Sequence, residues 1–307
     1  MTLTVGVAGA GGMGREHLRQ LRRLGARTLV WSRSGADAAA AELGARPVAS
    51  FEELVAASDV VDVTTPTPTH LGFGRAALAA GRHVICEKPL ARTAAEAEQL
   101  VAAADEAGRL VLPAHVVRWF PAYAAAKAAV DAGELGELQR LRFFRGGSFP
   151  AAPWCADRAQ SGGVVLDLMI HDLDQARWLA GEVVRVEATR EEGVAAGHPF
   201  ETASVTLRHA SGAITRAGGS WGPPGGRFTT EFALVGRAGS LEHSARDEPE
   251  RLAEAGQSPY LAQLADLLAA VETGAAVRVT PADAVAAVRL ATAALEAIET
   301  RRPVELD

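Results

Sequence analysis

Val5-Gly-Val-Ala-Gly-Ala-Gly-Gly-Met-Gly14 is the stretch whose reading decides the fold. An apolar run from Leu3 to Ala8 precedes the last of these glycines and reads as a buried strand. Arg15 to Leu24 follows with helical periodicity and is ended by Gly25. Gly9, Gly11 and Gly14 therefore hold a G-x-G-x-x-G spacing between a strand and a helix. Gly9 permits the tight turn, Gly11 lets the backbone approach a pyrophosphate, and Gly14 allows the helix to close on the strand. The helix start then meets the anion with free N–H groups and a favourable dipole. A bare glycine triplet is weak evidence, but in this context it reads as a dinucleotide turn, with Gly9, Gly11, Gly12, Met13 and Gly14 as its contacts.

Working outward, strands and helices alternate. Thr28 to Trp31 reads as a strand and the alanine-rich Ala36 to Leu43 as a helix. Ser50 with Glu53 forms a capping box before the strand Val60 to Val63. Leu71 to Ala80 is a helix closed by Gly81, and His83 to Cys86 a strand. Thr93 with Glu96 opens a helix that Gly108 ends before strand Leu110 to Leu112. This order predicts a doubly wound parallel sheet with right-handed crossovers. Met1 leads almost directly into it.

After Val116 to Pro121 the pattern changes. A helix around Ala122 to Ala132 leads to a strand at Leu138 to Phe144 and an irregular stretch from Arg145 to Ser161. A helix over Val164 to Ala180 precedes strand-like runs near Val183 to Thr189, Thr202 to His209, Ala213 to Ser220 and Phe228 to Gly236. Ser211-Gly212 between two of them marks an antiparallel hairpin. Two helices close the chain, around Tyr260 to Glu272 and Ala282 to Glu299, the last announced by Thr280 as cap and Pro281 at its first position. The expected fold class is α/β, an N-terminal Rossmann domain over 1–118 followed by an α+β domain over 119–307. There is no internal repeat.

Bulk properties narrow the function. The 307 residues carry a net charge of −6, which argues against nucleic acid or an anionic membrane as main partner. The basic run Arg19 to Arg23 reads as a solvated helix face. Cys86 and Cys155 lie far apart with no metal-ligand spacing, so no metal is expected and a reducing compartment is. No apolar run is long enough to span a bilayer and the start has no signal-peptide pattern, which places the expected protein in the cytoplasm.

The residues that carry chemistry follow the strand ends. Trp31-Ser-Arg-Ser34 occupies the region where an acidic residue would bind a ribose 2′-hydroxyl, and none is there. Ser32 and Arg33 would instead accept a 2′-phosphate, pointing to NADP ahead of NAD, with a solvated Arg33 as the plain reading. Thr65, Pro66 and His70 follow one strand, and Glu87-Lys88-Pro89 the next, so both segments edge the cofactor cleft. A lysine beside an oxidised nicotinamide would have its pKa pushed toward a useful range. An ion pair with Glu87 or a surface cation explains Lys88 equally well, and His70 alone suits a capping or packing role. Further on, Asp167 and His171 are four apart and share a helix face beside the apolar Leu166, Met169, Ile170 and Leu173. The carboxylate would orient the imidazole, and His171 would take a hydroxyl proton as hydride leaves the same carbon. In isolation the pair also fits a surface hydrogen bond.

These motifs, in this order and nearly end to end, resemble the Gfo/Idh/MocA oxidoreductases, named for glucose–fructose oxidoreductase and inositol dehydrogenase. The match includes Gly9 to Gly14 with His17, Thr65-Pro66 with His70, Glu87-Lys88-Pro89, Arg118 to Pro121, Gly133-Glu-Leu-Gly136, Gly162-Gly163 to His171, and Thr280 to Asp283. The resemblance implies a catalytic and substrate-binding Lys88, active-site roles for Asp167 and His171, and a large, mostly antiparallel second sheet whose open face makes a dimer or tetramer. It also suggests Trp154 and Arg118 near the substrate, with a structural bridge as the alternative for Arg118. Val164 and Met169 depart from the family pattern, which often has glycine at both places, so a change in helix packing or pocket shape is expected. The implied activity is NAD(P)-dependent oxidation of a secondary alcohol on a sugar, inositol or related polyol, or the reverse reduction. A dihydrodiol or other non-sugar carbonyl oxidoreductase, and a non-catalytic NADP sensor, stay open as alternatives.

Overall fold

The computed structural model describes residues 2–195 and 197–306, leaving aside the side chain of Glu250. Met1, which leads the predicted first strand, lies outside them. The chain divides into two units, 1–119 with 257–285, and 120–256 with 286–307. The first crossing between the units falls at 119/120. Residues 257–285, assigned from the sequence to the second domain, return to the first unit.

In the first unit, strands β1 (Thr4–Ala8), β2 (Arg27–Trp31), β3 (Arg46–Pro47), β4 (Val60–Val63), β5 (His83–Glu87) and β6 (Val111–Ala114) form one parallel sheet in the order β3-β2-β1-β4-β5-β6. This is the order of a dinucleotide-binding Rossmann sheet, whose switch point lies between β1 and β4. The central strands are buried along nearly their whole length because helices cover both faces, so they read as continuous apolar runs. Helices α1 (Gly12–Arg23), α2 (Ala36–Leu43), α3 (Phe51–Ala56), α4 (His70–Ala79) and α5 (Ala94–Ala107) make the crossovers. Thr93 and Glu96 form the predicted reciprocal capping box. Ser50 also caps its helix by accepting the Glu53 N–H, but the Glu53 carboxylate bonds Ala49 N–H instead of closing the box on Ser50.

The second unit opens with α6 (Pro121–Asp131) and β7 (Leu138–Ser148). The strand runs four residues beyond the predicted end, so Arg145 is a buried strand residue and not part of a loop. Short helices α7 (Pro153–Ala156) and α8 (Arg158–Ser161) follow. The predicted helix over Val164 to Ala180 is broken in two. Val164–Leu168 is a π-helical turn, closed by Met169 N–H to Val164 C=O, and α9 (Ile170–Ala180) continues from it. Strands β8 (Val183–Ala195), β9 (His198–His209), β10 (Ile214–Gly222), β11 (Thr229–Gly236) and β12 (Ser240–Arg246) come next, then α10 (Glu248–Glu254). Helix α11 (Pro259–Thr273) returns to the first unit, where Leu264, Leu267 and Leu268 join the apolar cluster that holds Val5, Leu18 and Leu21. Helix α12 (Pro281–Thr300) and strand β13 (Val304–Glu305) end the fold.

The second sheet is ordered β12-β11-β7-β10-β9-β8-β13 and is antiparallel except at β7–β10. Strands β12 and β13 carry no strong apolar alternation and escaped the sequence reading. On β7 and β10 one face is buried by Leu141, Phe143, Thr215, Ala217 and Trp221, while Arg140, Arg142 and Arg216 point the other way and are exposed.

Candidate active site

The glycine turn has the geometry that its spacing demands. Gly9 sits at φ +119°, where a side chain would be strained, and a Cβ there would lie 2.8 Å from the Thr64 carbonyl oxygen. A Cβ on Gly14 would reach Thr64 Oγ1 at 2.8 Å and run into the Gly9 carbonyl, so helix and strand are already at contact. Gly11 and Gly12 differ, since a Cβ on either would meet nothing within 4 Å. The first and last glycines are thus required by the fold itself, and the middle pair opens backbone N–H groups at the start of α1 to whatever approaches. A pyrophosphate fits this cradle.

At the end of β2, Ser32 is half-buried and Arg33 exposed, with Gly35 left-handed before α2. Between β4 and α4, Thr65 and Pro66 are half-buried just ahead of a short 3-10 stretch, Thr67–Thr69. His70 is buried. Its Nδ1 lies 2.8 Å from the Pro89 carbonyl oxygen and its Nε2 2.7 Å from that of Thr65. Burial pushes this imidazole below its ordinary pKa, against the pull of the two carbonyls. The ring therefore braces the β4 and β5 loops against each other.

Sequence reasoning did not anticipate the cluster under Lys88. His17, on α1, is fully buried, with Nδ1 2.8 Å from Asp62 Oδ2 and Nε2 3.2 Å from Glu87 Oε1. Burial alone would lower its pKa, but the two carboxylates outweigh that and raise it to about 10. In return Glu87, which burial would push up, is held below the ordinary carboxylate range by His17 and Lys88. The other Glu87 oxygen accepts the Lys88 backbone N–H at 3.0 Å. The signal was present in the sequence as an acidic residue inside the apolar strand Val60-Val-Asp-Val63, since a charge in that setting needs a partner. Cys86 lies beside the cluster, and burial together with both carboxylates raises its thiol well above the ordinary value.

Lys88 itself is half-buried at the carboxyl end of β5. The chain has 31 lysines and arginines together, yet only Lys88 and Lys127 are lysines. Arginine is kept charged far above neutrality, whereas an amine can exchange protons and form compact hydrogen bonds. A lysine at this strand end stands out against so arginine-rich a background. Arg118 is 1 % exposed, and its Nη1 donates to the Arg278 carbonyl at 3.0 Å and to Asp283 Oδ2 at 3.3 Å. These contacts tie the end of the first sheet's chain to the start of α12, where Thr280 caps as predicted.

In the second unit, Gly162 and Gly163 are both left-handed and turn the chain into the π segment. Val164, Val165, Leu166, Met169 and Ile170 are fully buried, while Asp167 and His171 are half-exposed. The two predicted polar residues thus lie on the accessible side of a segment anchored by its apolar side. The departures from the family pattern have a shared explanation in β10. Met169 and Val164 both lie over Gly219, where a Cβ would sit 2.6 Å from Met169 Sδ and 3.3 Å from Val164 Cγ2. Gly219 thus leaves the sheet-side space that the Met169 and Val164 side chains fill.

Two further groups hold this segment. Glu201 on β9 accepts the Val164 N–H, and burial raises its carboxyl against the pull of Arg158. Asp172, next to His171, is fully buried against Arg145 of β7, with Oδ1 3.0 Å from Nη2. Trp154 is half-exposed on the four-residue α7. Among the described residues, no helix is long and apolar enough to cross a membrane.

Comparison with known proteins agrees with both units. Residues 3–115 match the model of an oxidoreductase family with an NAD-binding Rossmann fold, and residues 123–242 match the GFO/IDH/MocA C-terminal domain. The chain is 33% identical to inositol 2-dehydrogenase 1 of Saccharopolyspora erythraea, over all of this chain and 97% of that protein. It is 35% identical to inositol 2-dehydrogenase of Klebsiella pneumoniae over 60% of this chain, and there it spans 56% of the relative's length. Among solved structures, GenD2 from gentamicin A biosynthesis in complex with NAD superposes with a TM-score of 0.90 at 28% identity, covering 100% of this chain and 97% of that one.

Proposed function

The chain belongs to the GFO/IDH/MocA oxidoreductases, and from that premise we propose a dehydrogenase that oxidises a secondary hydroxyl of a sugar, inositol or related polyol, or runs the reverse reduction. The observation that carries this reading is Lys88, a rare amine at the carboxyl end of β5, where open α/β sheets bind their ligands. Relatives named inositol 2-dehydrogenase favour a polyhydroxylated substrate.

When bound, the nicotinamide supplies the two-electron acceptor or donor. The chain's own residues do the rest. The Gly9 to Gly14 turn, with Gly12 and Met13, holds the pyrophosphate. Ser32 and Arg33, with no acidic neighbour at the end of β2, favour a 2′-phosphate, so NADP is preferred over NAD. Thr65 and Pro66 edge the cofactor, and His70 and Glu87 shape that edge through the backbone. Lys88 donates a hydrogen bond to the reacting hydroxyl and fixes its orientation. His171 takes the hydroxyl proton on oxidation and returns it on reduction, and Asp167 orients the imidazole. Trp154 offers an apolar wall for a sugar ring. The buried Arg118 serves the first unit's frame and does not need to touch substrate. The two cysteines are buried free thiols, which suits a reducing, cytoplasmic setting. The exposed face of the second sheet is the proposed surface for a homo-oligomer, to be checked by light scattering.

The decisive experiment pairs Lys88→Ala with His171→Ala on a polyol and sugar panel that includes myo-inositol. Each variant should lose about 10²–10⁴-fold in turnover, the usual scale for a lost proton-transfer group. NADPH binding should stay within a few-fold of the parent protein. Full activity in both variants would remove the assigned roles.

A further inference from the structure

We infer that His17 is a positioning residue for Lys88, holding Glu87 so that this carboxylate does not capture the neighbouring ammonium. The inference rests on the proposed role of Lys88, and it is drawn from the chain of contacts beneath that residue. Helix α1 starts in the glycine turn and carries His17 two residues beyond Arg15, fully buried. Asp62 fixes one ring nitrogen at 2.8 Å, which aims the other at Glu87 Oε1, 3.2 Å away. The second Glu87 oxygen is taken by the Lys88 backbone N–H at 3.0 Å. One oxygen of Glu87 thus faces the imidazole of the cofactor-binding helix at ion-pair distance, and the other accepts the lysine's own main-chain N–H. On the far side of Lys88, the Pro89 carbonyl lies 2.8 Å from His70 Nδ1. One buried imidazole thus lies on each side of Lys88, His17 against the Glu87 carboxylate and His70 against the Pro89 carbonyl.

With Nδ1–H donated to Asp62, Nε2 can donate to Glu87 only when the ring is protonated. Two carboxylates around a buried imidazole favour that form, and the raised pKa of about 10 agrees. Removing the ring leaves Asp62 and Glu87 buried without it. The other cation acting on Glu87 is Lys88, so the ammonium would be drawn inward, away from a substrate hydroxyl.

The composition supplies an unusually clean assay, because Lys88 and Lys127 are the only lysines. Native full-length protein is treated with a limiting amine-acylating reagent, and the Lys88 to Lys127 labelling ratio is read by peptide mass spectrometry. His17→Leu should lower the ratio about fivefold. His17→Gln keeps an N–H donor toward Glu87 and should stay within about twofold of the parent. Adding Glu87→Gln to His17→Leu removes the capturing carboxylate and should restore the ratio. A merely structural histidine predicts the opposite sign, since loosening exposes Lys88 and speeds its labelling. An unchanged or increased ratio in His17→Leu, or no recovery in the double variant, overturns the inference. If His17→Leu does not fold, His17→Asn, which keeps the bond to Asp62 and loses the reach to Glu87, must show the same fall. Turnover of Lys88→Ala separates the two ideas: full activity there refutes the catalytic reading of Lys88, whereas the labelling ratio reports the His17 effect by itself.

Discussion

Gly219→Ala and Met169→Ala, made singly and together, test whether Met169 occupies the space that Gly219 leaves open. Met169 is fully buried, and truncation of such a side chain costs roughly 2–5 kcal/mol through lost burial and the cavity left behind. Gly219→Ala places a methyl 2.6 Å from Met169 Sδ and 3.3 Å from Val164 Cγ2. Overpacking of that kind costs about 1–3 kcal/mol, offset by roughly 0.5–1 kcal/mol from removing a glycine inside a strand. In the double variant the new methyl enters space that the thioether vacated. Its cost should fall below the sum of the singles by about 0.5–3 kcal/mol, the range of coupling for residues in contact. Equilibrium unfolding in urea, followed by fluorescence and circular dichroism at matched slopes, gives the four free energies of the cycle. Additivity within about 0.5 kcal/mol, or a Gly219→Ala variant as stable as the parent, would refute the packing argument.

Other expectations follow from charge. Because His17 is raised from 6.5 in the unfolded chain to about 10 in the fold, its contribution is complete below pH 6.5 and is lost as pH rises through about 10. Stability should therefore decline across that window by up to about 1.4 kcal/mol per pH unit, and a His17→Gln variant should show a flatter slope in pH-dependent urea melts. Asp172→Ala leaves Arg145 buried without its carboxylate and should cost about 3–5 kcal/mol; a thermal melt within a degree of the parent would contradict the buried pair. Arg33→Ala should weaken NADPH binding by about tenfold, near the value of one charge-assisted hydrogen bond, and leave NADH nearly unchanged. Equal losses for both cofactors, measured by fluorescence titration, would count against the 2′-phosphate reading.

How much of this was legible in the chain depends on the range of the interactions involved. The Rossmann half was written in local terms: apolar runs, capping residues at Thr93 and Thr280, and glycines at turn positions. Five of its six strands therefore emerged within a few residues of their predicted ends, and only the two-residue β3 was missed. Arg145 was misread because arginine followed by Gly146 and Gly147 looks like a loop; its partner Asp172 lies 27 residues away, on a helix. The π turn at Val164–Leu168 was invisible for a different reason, since one extra residue per turn barely alters a short apolar pattern. Asp167 and His171 were found from spacing, but Glu201 and the glycine under Met169 belong to strands whose register no local pattern sets. His17 and Asp62 show the mixed case. A histidine in a helix and an aspartate in an apolar strand are each noticeable, yet their pairing over 45 residues needs the fold.

The return of residues 257–285 to the first unit has a bearing on how this protein can be recombined with its relatives. The nucleotide-binding half is not a cassette that ends where the second half begins. A fragment stopping at Trp119 would lack Leu264, Leu267 and Leu268, and the apolar side chains of α1 that they cover would face water. A working chimera needs three joints, at 119/120, 256/257 and 285/286. The third falls inside α12, so a splice there has to keep the helical phase of both parents.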